Sequence, residues 1–130
     1  MTIPRVRPAT IEDAHAIARV HMQAWRAAIW VAESDGVIGF AGTGGGDHAE
    51  RPRPRPLELG AIYVLAEYHG TGAGQALLDA AIGDEPAFLF VARGNPRAIR
   101  FYERNGFVFD GASESYPLVR TPITSLRMVR

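Results

Sequence analysis

Apolar residues follow two spacings along this chain, and the change from one to the other marks the predicted elements. In the segment 11–27 they recur every three or four residues, which is typical of a helix with one apolar face. Thr10 precedes this segment as a capping residue, with two carboxylates in the first turn. Shorter apolar runs, separated by glycine, proline or polar turns, predict strands. The predicted helices are 11–27, 74–82 and 96–104, and the predicted strands are 3–7, 30–33, 37–41, 57–65, 87–91, 107–109 and 123–129.

The order of these elements determines the fold class. The helix 74–82 connects the strand 57–65 to the strand 87–91, whose nearly all-apolar composition is typical of a strand covered on both faces. Such a strand–helix–strand crossover makes the two strands a parallel pair. The sequence therefore predicts one domain over residues 1–130, of the α/β (α+β) class, with residues 42–56 as a loop.

The composition excludes several kinds of chemistry. The chain has 130 residues and no cysteine, which excludes disulfides, thiolate metal sites and a cysteine nucleophile. All fourteen basic residues are arginine, so a P-loop and Schiff-base chemistry, which need lysine, are excluded. The net charge of zero gives no general attraction for nucleic acid. No apolar stretch approaches the roughly 18 residues of a membrane helix, and we expect a cytoplasmic protein.

Three glycines alternate with small residues between the strand 57–65 and the helix 74–82. Glycine lets backbone N–H groups approach a ligand closely, and a helix start adds partial positive charge, so the segment 70–74 predicts an anion site. A dinucleotide-binding fingerprint is excluded because Gln75 stands where its third glycine is needed. The alternative is a tight strand-to-helix turn without a ligand.

Two motifs in this part of the chain resemble the GNAT superfamily of N-acetyltransferases. Residues 69–74, His-Gly-Thr-Gly-Ala-Gly, stand where that family has Arg/Gln-x-x-Gly-x-Gly/Ala for a pyrophosphate. Residues 95–107 are similar to its second signature, with Asn, Ala, Phe-Tyr and Gly-Phe at the family's spacing. Residues 11–14 and 127–129 extend the resemblance over nearly the whole chain. It implies a mixed, mostly antiparallel sheet with a splayed parallel pair and helices on both faces.

The resemblance also implies where acetyl-CoA binds. The pantetheine arm lies between the splayed strands and pairs with the backbone of the strand 57–65, while the pyrophosphate meets the N–H groups of the glycine segment. The implied cofactor-binding residues are Ile62, Tyr63, Val64, His69, Gly70, Thr71, Gly72, Ala73, Gly74, Gln75 and Asn95. No metal is implied.

Two residues are candidates for the proton transfers. By resemblance, Tyr102 lies near the sulfur as a general acid; the alternative is a tyrosine that only packs beside Phe101. Glu58 is the candidate base, because it lies eleven positions before His69, as the strand glutamate does in the histone-acetylating branch of the family. Strand alternation puts Glu58, Gly60 and Ile62 on one face. The alternative is a solvated glutamate, or one that only orients the substrate ammonium.

The chain departs from the family pattern at two places. His69 replaces the usual arginine or glutamine, so its positive charge depends on pH. The family usually has two helices between its first two strands, whereas here the helix 11–27 runs into Trp30 with almost no linker. Such a helix spans about 25 Å. Either it stops near His21, or the second strand pairs unusually, or an internal segment of the natural protein is missing. His21 and Trp25 fall where the family lines its acceptor pocket, although core packing explains them as well.

These observations predict an N-acetyltransferase that passes acetyl from acetyl-CoA to a primary amine of a small molecule or protein, in a ternary complex. One alternative is an acyl-CoA-binding sensor without turnover. A second is an acetyltransferase for aminoacyl-tRNA, which would use the arginines of residues 51–55; a solvated linker is the preferred interpretation of that segment. Nucleic acid and membrane are therefore not expected as partners. A homodimer, and the identity of the acceptor, are left open.

Overall fold

A computed structural model describes residues 4–17, 28–44, 53–117 and 122–130. Its centre is a six-stranded sheet in the order β1-β2-β3-β4-β6-β5. The strands are β1 (Ile29–Glu33), β2 (Val37–Thr43), β3 (Leu57–Val64), β4 (Ala87–Ala92), β5 (Val108–Pro117) and β6 (Pro122–Val129), and the helices are α1 (Ala73–Ala81) and α2 (Pro96–Arg104), with 3-10 turns at Ile11–Asp13 and Ala66–Tyr68.

The sheet is antiparallel except at one place. Strands β3 and β4 are parallel, and all other neighbouring strands are antiparallel. The parallel pair is joined by α1, as the crossover in the sequence predicts. The mixed, mostly antiparallel sheet and the parallel pair are therefore confirmed.

The first two strands form the predicted hairpin. Strand β1 pairs with β2, and the turn contains Asp35 with φ of 50° and Gly36 with φ of 109°. A hairpin turn with two positive φ values suits the twist of the flanking strands and favours Asp-Gly at these positions. Strand β2 continues through Thr43, so the predicted loop over residues 42–56 was wrong for its first two residues.

The main core lies between the sheet and its two described helices. Leu59 of β3, Leu89 of β4 and Met128 of β6 pack there with Leu78 of α1 and Tyr102 of α2. We call the surface of the sheet that faces these helices the helix face, and the opposite surface the second face. The helices touch each other, because a side chain at Gly74 would meet the ring of Phe101 at 3.8 Å.

Of the elements predicted near the start of the chain, the strand is absent over its described part and the helix is described only in part. Residues 4–10 are exposed and form no strand, so the predicted strand 3–7 was wrong over its described part. Thr10 does precede a helical turn, where the Asp13 carboxylate accepts from the Thr10 N–H at 2.9 Å and pairs with Arg7 at 2.7 Å. Residues 14–17 are helical. The remainder of the predicted helix 11–27, its candidates His21 and Trp25, and the short connection to Trp30 lie outside the described residues, so a helix on the second face stays a prediction.

Strand β5 is longer than the sequence predicts. The expected strand 107–109 is the start of a ten-residue strand that pairs with β6 as far as Pro117 and Pro122. Its register shifts between Phe109 and Ser113, near Gly111, whose φ is 93°. This bulge and the polar composition of the segment conceal the strand from a hydrophobic pattern. No helix within the described part of the chain has the length and apolar character needed to cross a membrane.

Candidate functional site

The parallel strands separate soon after they begin. Over the described strands, β3 and β4 pair only at Leu57 with Ala87 and at Glu58 with Phe88. Beyond these two pairs, residues 59–64 and 89–92 have no ladder between them, and we call the space between them the gap. The gap opens towards the carboxyl ends of both strands, where ligands bind in sheets of this kind. This is the splay that the resemblance implies.

Backbone groups of β3 face the gap. The Leu65 N–H donates to Ile38 O of β2 at 2.9 Å, so the Val64 carbonyl, on the opposite side of the same peptide, points away from β2. Val64 and Ile62 are opposite Gly39 and Ala41 in the register. Since successive residues of an antiparallel strand direct their N–H and C=O groups to opposite sides, Ile62, two residues before Val64, shares the orientation of Val64. The predicted pairing of an extended ligand arm with this segment therefore has backbone donors and acceptors available.

The glycine segment lies at the open end of the gap and leads into α1. Gly70 and Gly72 have φ of 79° and 90°, which only glycine adopts without strain, so both are needed for the turn. The first bond of α1 runs from the Ala76 N–H to Gly72 O at 3.0 Å. Over the described residues, the N–H groups of Ala73, Gly74 and Gln75 have no backbone partner. These are first-turn donors at the positive end of a helix, which suits an anion.

Side chains hold this helix start against α2. The Gln75 amide donates to Asn105 Oδ1 at 2.8 Å and to Asp79 Oδ1 at 2.9 Å. The Thr71 hydroxyl donates to Tyr68 O at 2.6 Å. The donor groups of the Gln75 and Thr71 side chains are thus engaged within the protein, so the donors that these residues offer to a ligand are main-chain N–H groups.

His69 has a partner that the sequence did not reveal. Its Nε2 lies 3.0 Å from Val64 O, the carbonyl that faces the gap. The imidazole therefore connects the start of the glycine segment to the end of β3. The predicted contact of His69 with a phosphate stays a prediction.

Asn95 is the N-cap of α2. Its side-chain oxygen accepts from the Ala98 N–H at 3.2 Å, and Pro96 occupies the first turn. This is the cap predicted from the Asn-Pro sequence. The side-chain amide donors remain for the predicted contact with a ligand arm.

Tyr102 is buried, with 8% of its surface exposed, in the main core. Its ring packs edge-on against Phe107 at 5.9 Å and lies 5.4 Å from the ring of Phe101. Burial raises the pKa of Tyr102 well above its ordinary value, and the nearby phenol of Tyr63 raises the pKa further. The hydroxyl therefore stays protonated at neutral pH. Both predicted roles, packing and proton donation, are compatible with this position.

Glu58 is buried, with 4% of its surface exposed, so it is not a solvated glutamate of the strand start. It stands at the last position of β3 that pairs with β4, opposite Phe88. The predicted sharing of one face by Glu58 and Ile62 was wrong, because Ile62 packs on the helix face with Leu59. The cause is a bulge: Thr43 is opposite Leu59 and Gly42 is opposite Ala61, which leaves Gly60 without a partner in β2. An extra residue reverses the alternation beyond it.

Two structural residues of the site were not found from the sequence. A Cβ at Gly39 would lie 2.6 Å from Tyr63 O, so glycine is needed for β3 to approach β2 there. Arg130 donates to Gly83 O at 2.7 Å, Glu85 O at 2.8 Å and Asn105 O at 3.2 Å, and lies 5.0 Å from the centre of the Phe107 ring. It thereby ties the ends of both helices together. Neither residue belongs to a motif, so no sequence signal marks it.

The described residues contain no group of three histidine, aspartate or glutamate side chains that could hold a metal ion. The ligand groups that the site offers are backbone N–H and C=O groups along β3 and at the start of α1. A donor set of this kind suits an extended molecule that has amide groups and ends in phosphates.

Comparison with known proteins agrees with this geometry. A family model described as acetyltransferase (GNAT) domain matches residues 25–109. An uncharacterised N-acetyltransferase of Mycobacterium tuberculosis is 38% identical over 93 residues, which cover 66% of this chain and 56% of that protein. The mycothiol acetyltransferase of Propionibacterium freudenreichii is 38% identical over 84 residues, covering 58% of this chain and 25% of that protein.

Solved structures share the fold. The ribosomal-protein-alanine N-acetyltransferase from Brucella melitensis has a TM-score of 0.66 at 21% identity, with 94% of this chain and 78% of that chain covered. The chain spans about half the length of the M. tuberculosis relative and a quarter of the mycothiol acetyltransferase.

Proposed function

The chain belongs to the GNAT family of acetyltransferases, and from this premise we propose that it binds acetyl-CoA and transfers the acetyl group to a primary amine of a small molecule or protein. The transfer is direct, within a ternary complex, and forms no covalent enzyme intermediate.

One observation carries the proposal. The only parallel pair of strands in the described sheet separates after two residue pairs, and the opened edge of β3 leads to a helix start with three first-turn N–H groups. Ile62 and Val64 would hold the pantetheine arm through backbone groups, and the N–H groups of Ala73, Gly74 and Gln75 would hold the pyrophosphate. Asn95 would contact the arm through its side-chain amide.

When bound, acetyl-CoA supplies an acetyl group activated as a thioester. Transfer joins the amine nitrogen to the acetyl carbon and breaks the carbon–sulfur bond; the nitrogen loses one proton and the sulfur gains one. The chain must therefore provide a proton acceptor, a proton donor and N–H groups for the acyl oxygen. The backbone of β3 in the gap supports the last of these roles.

Tyr102 is proposed as the proton donor and Glu58 as the acceptor. The raised pKa of Tyr102 keeps a proton on its oxygen at neutral pH, which supports a donor role; a weaker acid also gives up the proton less readily, so donation has to accompany cleavage of the bond to sulfur. Glu58 is buried at the paired end of the gap, where a carboxylate could take the proton of the amine or orient its ammonium form.

Binding and turnover test the proposal separately. Acetyl-CoA at 100 times its dissociation constant should add about 2.7 kcal/mol to the free energy of unfolding, which raises the melting temperature by several degrees. Release of free thiol from acetyl-CoA across a panel of amines then measures transfer. A melting shift without thiol release on any amine favours the sensor. No melting shift at millimolar acetyl-CoA contradicts the proposal.

A further inference from the structure

The segment from the end of β4 to the end of α2 carries an excess of positive charge in a chain whose net charge is zero. Residues 93–104 include one carboxylate, Glu103, and four exposed arginines, which are Arg93, Arg97, Arg100 and Arg104. Within the described residues, the guanidinium groups of these arginines make no hydrogen bond or ion pair. Glu103 is a helical neighbour of Arg100, whereas Arg97 lies six residues before it, on a different side of the helix.

Helices α1 and α2 run side by side in the same direction. A Cβ at Gly74, the second residue of α1, would lie 3.8 Å from Cζ of Phe101, the sixth residue of α2. The next residue of α1, Gln75, bonds to Asn105, one turn further along α2. Helix α2 therefore begins about four residues, or roughly 6 Å, before α1 does. The first turn of α2 thus stands in front of the start of α1 and its free N–H groups.

Arg97 lies in this first turn, on the side of α2 that faces α1. It is four residues before Phe101 and Arg104 is three residues after it, so both arginines share the side of Phe101. Arg100 is next to Phe101 in the chain and lies on a different side. Because helical side chains lean towards the N-terminus, Arg97 extends into the space in front of α1, whereas Arg104 lies about 10 Å further along the helix.

Helix electrostatics explains the position of Arg104 but not that of Arg97. The N-terminus of a helix carries partial positive charge and the C-terminus partial negative charge, so a cation is favoured in the last turn and disfavoured in the first. Arg104 is in the last turn of α2, and the first turns of α1 and α2 contain no acidic residue that would offset Arg97. An arginine that is opposed by the helix and has no partner in the described protein is suited to bind an external anion.

The ligand of the proposed function has one phosphate group without an assigned partner. Besides its pyrophosphate, for which the N–H groups of α1 are proposed, acetyl-CoA carries a 3′-phosphate on its ribose. A phosphate monoester has a charge of about −1.5 to −2 at neutral pH. The charge of His69 depends on pH, whereas a guanidinium group stays charged and its paired N–H groups match two phosphate oxygens. Arg97 therefore offers the permanent positive charge that this phosphate requires.

We propose that Arg97 binds the ribose 3′-phosphate of acetyl-CoA and thereby determines a preference for CoA over 3′-dephospho-CoA. This inference rests on the proposed function, since it names a specificity-determining residue for the ligand of that enzyme. Arg97 takes no part in the transfer itself, because it contacts the nucleotide end of the ligand and the thioester reacts at the other end.

Calorimetric titrations with CoA and 3′-dephospho-CoA test this inference without turnover. We expect the original protein to bind CoA about tenfold more tightly than 3′-dephospho-CoA. Arg97→Gln should bind CoA about tenfold more weakly and 3′-dephospho-CoA with unchanged affinity. Arg104→Gln removes the same charge from the same side of the helix and is the matched control; it should change either affinity by less than twofold. Equal weakening of both ligands in Arg97→Gln, or an equal effect of Arg104→Gln, would overturn the inference.

The two ligands also separate this inference from the proposed function. If 3′-dephospho-CoA binds and CoA binds no more tightly, the 3′-phosphate has no site here although the proposed function stands. If neither ligand binds, the proposed function fails as well.

Melting of the free proteins tests the argument from helix electrostatics. Arg97→Gln removes a cation from the first turn and should raise the melting temperature by about 1–3 °C, whereas Arg104→Gln should lower it by a similar amount. A lower melting temperature of Arg97→Gln would show that this arginine stabilises the fold and would contradict the argument.

Discussion

The two ends of the gap between β3 and β4 present different chemical groups: main-chain groups at one end and a side chain at the other. At the open end, the groups available to a ligand are main-chain N–H and C=O groups, and the nearby side chains of Thr71 and Gln75 are bonded within the protein. At the paired end, Glu58 is a buried side chain, and the second candidate for proton transfer, Tyr102, is buried in the main core. The open end is thus suited to hold a ligand, and the two buried side chains are proposed to move protons.

This difference predicts two kinds of failure. A change of backbone conformation or charge at the open end should weaken binding of acetyl-CoA and leave the chemistry of the bound complex intact. A change of one buried polar atom of Glu58 or Tyr102 should slow transfer and leave binding intact. Substitutions that change binding and transfer together would contradict this assignment of roles.

The largest expected effect is that of Tyr102→Phe. Phenylalanine keeps the ring and its packing against Phe107, so the variant isolates the hydroxyl. General acid catalysis contributes typically 10²- to 10⁴-fold, and we expect a loss of kcat of that size while the melting shift with acetyl-CoA stays nearly unchanged. A kcat within about threefold of the original would make Tyr102 a packing residue. Parallel loss of activity and binding would assign the hydroxyl to binding or folding.

The same variant has a pH signature in the free protein. Because the pKa of Tyr102 is raised in the folded state, the unfolded chain releases this proton at a lower pH than the native protein does. The unfolded state then binds fewer protons, so the free energy of unfolding falls as pH rises above about 10. Tyr102→Phe should lessen this alkaline decrease, which denaturant titrations between pH 9 and 11 would measure. An identical alkaline decrease in both proteins would contradict the raised pKa.

The next largest effect is expected from a charge at the open end. Gly72 has φ of 90°, and a Cβ added there would meet no atom within 4 Å; Asp and Asn tolerate such a conformation better than other residues do. Gly72→Asp puts a negative charge beside the first-turn N–H groups, and we expect about thirtyfold weaker binding of acetyl-CoA, on the order of 2 kcal/mol of repulsion. Gly72→Asn has nearly the same shape and is the matched control.

Calorimetry with acetyl-CoA separates charge from backbone strain. Because both variants carry the same strain, the difference between their dissociation constants reports the charge alone. Melting of the free proteins provides a second check, since aspartate at a helix N-cap should leave Gly72→Asp at least as stable as Gly72→Asn. Equal dissociation constants would remove the pyrophosphate from this helix start.

Features that depend on residues close together in the chain were predicted from the sequence, and features that depend on contacts between distant segments were not. The glycine segment, the helix 74–82 and the Asn-Pro cap were predicted to within a residue, because turns and helix ends need particular residues nearby in the chain. The sharing of one face by Glu58 and Ile62 was predicted wrongly, because a bulge depends on the register between two strands and Gly60 looks like any other strand glycine. The partner of His69 and the long β5 were missed for the same reason: each depends on contacts between segments distant in sequence.

A further prediction concerns the packing behind the gap. A methyl group at Gly39 would lie 2.6 Å from Tyr63 O and 3.2 Å from Val64 Cα, so Gly39→Ala forces the backbone of β3 to shift. Overpacking of this kind costs about 1–3 kcal/mol, and we expect a melting temperature lower by several degrees together with a smaller shift by acetyl-CoA. Gly94→Ala, where the added methyl meets nothing within 4 Å, is the control. Equal melting temperatures would show that β2 and β3 can separate without cost.

The smallest effect is expected at His69, whose side chain has a structural contact and a proposed contact with the ligand. Its Nε2 bonds to Val64 O at the end of β3, while its charge can act on a phosphate nearby. Imidazole gains a positive charge as pH falls from about 8 to 6, so binding of acetyl-CoA should be about threefold tighter at pH 6 than at pH 8. His69→Gln keeps an N–H donor for Val64 O but does not titrate; we expect it to melt like the original protein and to bind at both pH values with the affinity that the original has at pH 8. His69→Arg should bind more tightly, also without pH dependence.

His69→Ala loses the bond to Val64 O and about 1 kcal/mol of stability, which the other two variants should retain. If the original protein binds acetyl-CoA equally at pH 6 and 8, the imidazole serves only the hydrogen bond to Val64 O and takes no part in binding the phosphate.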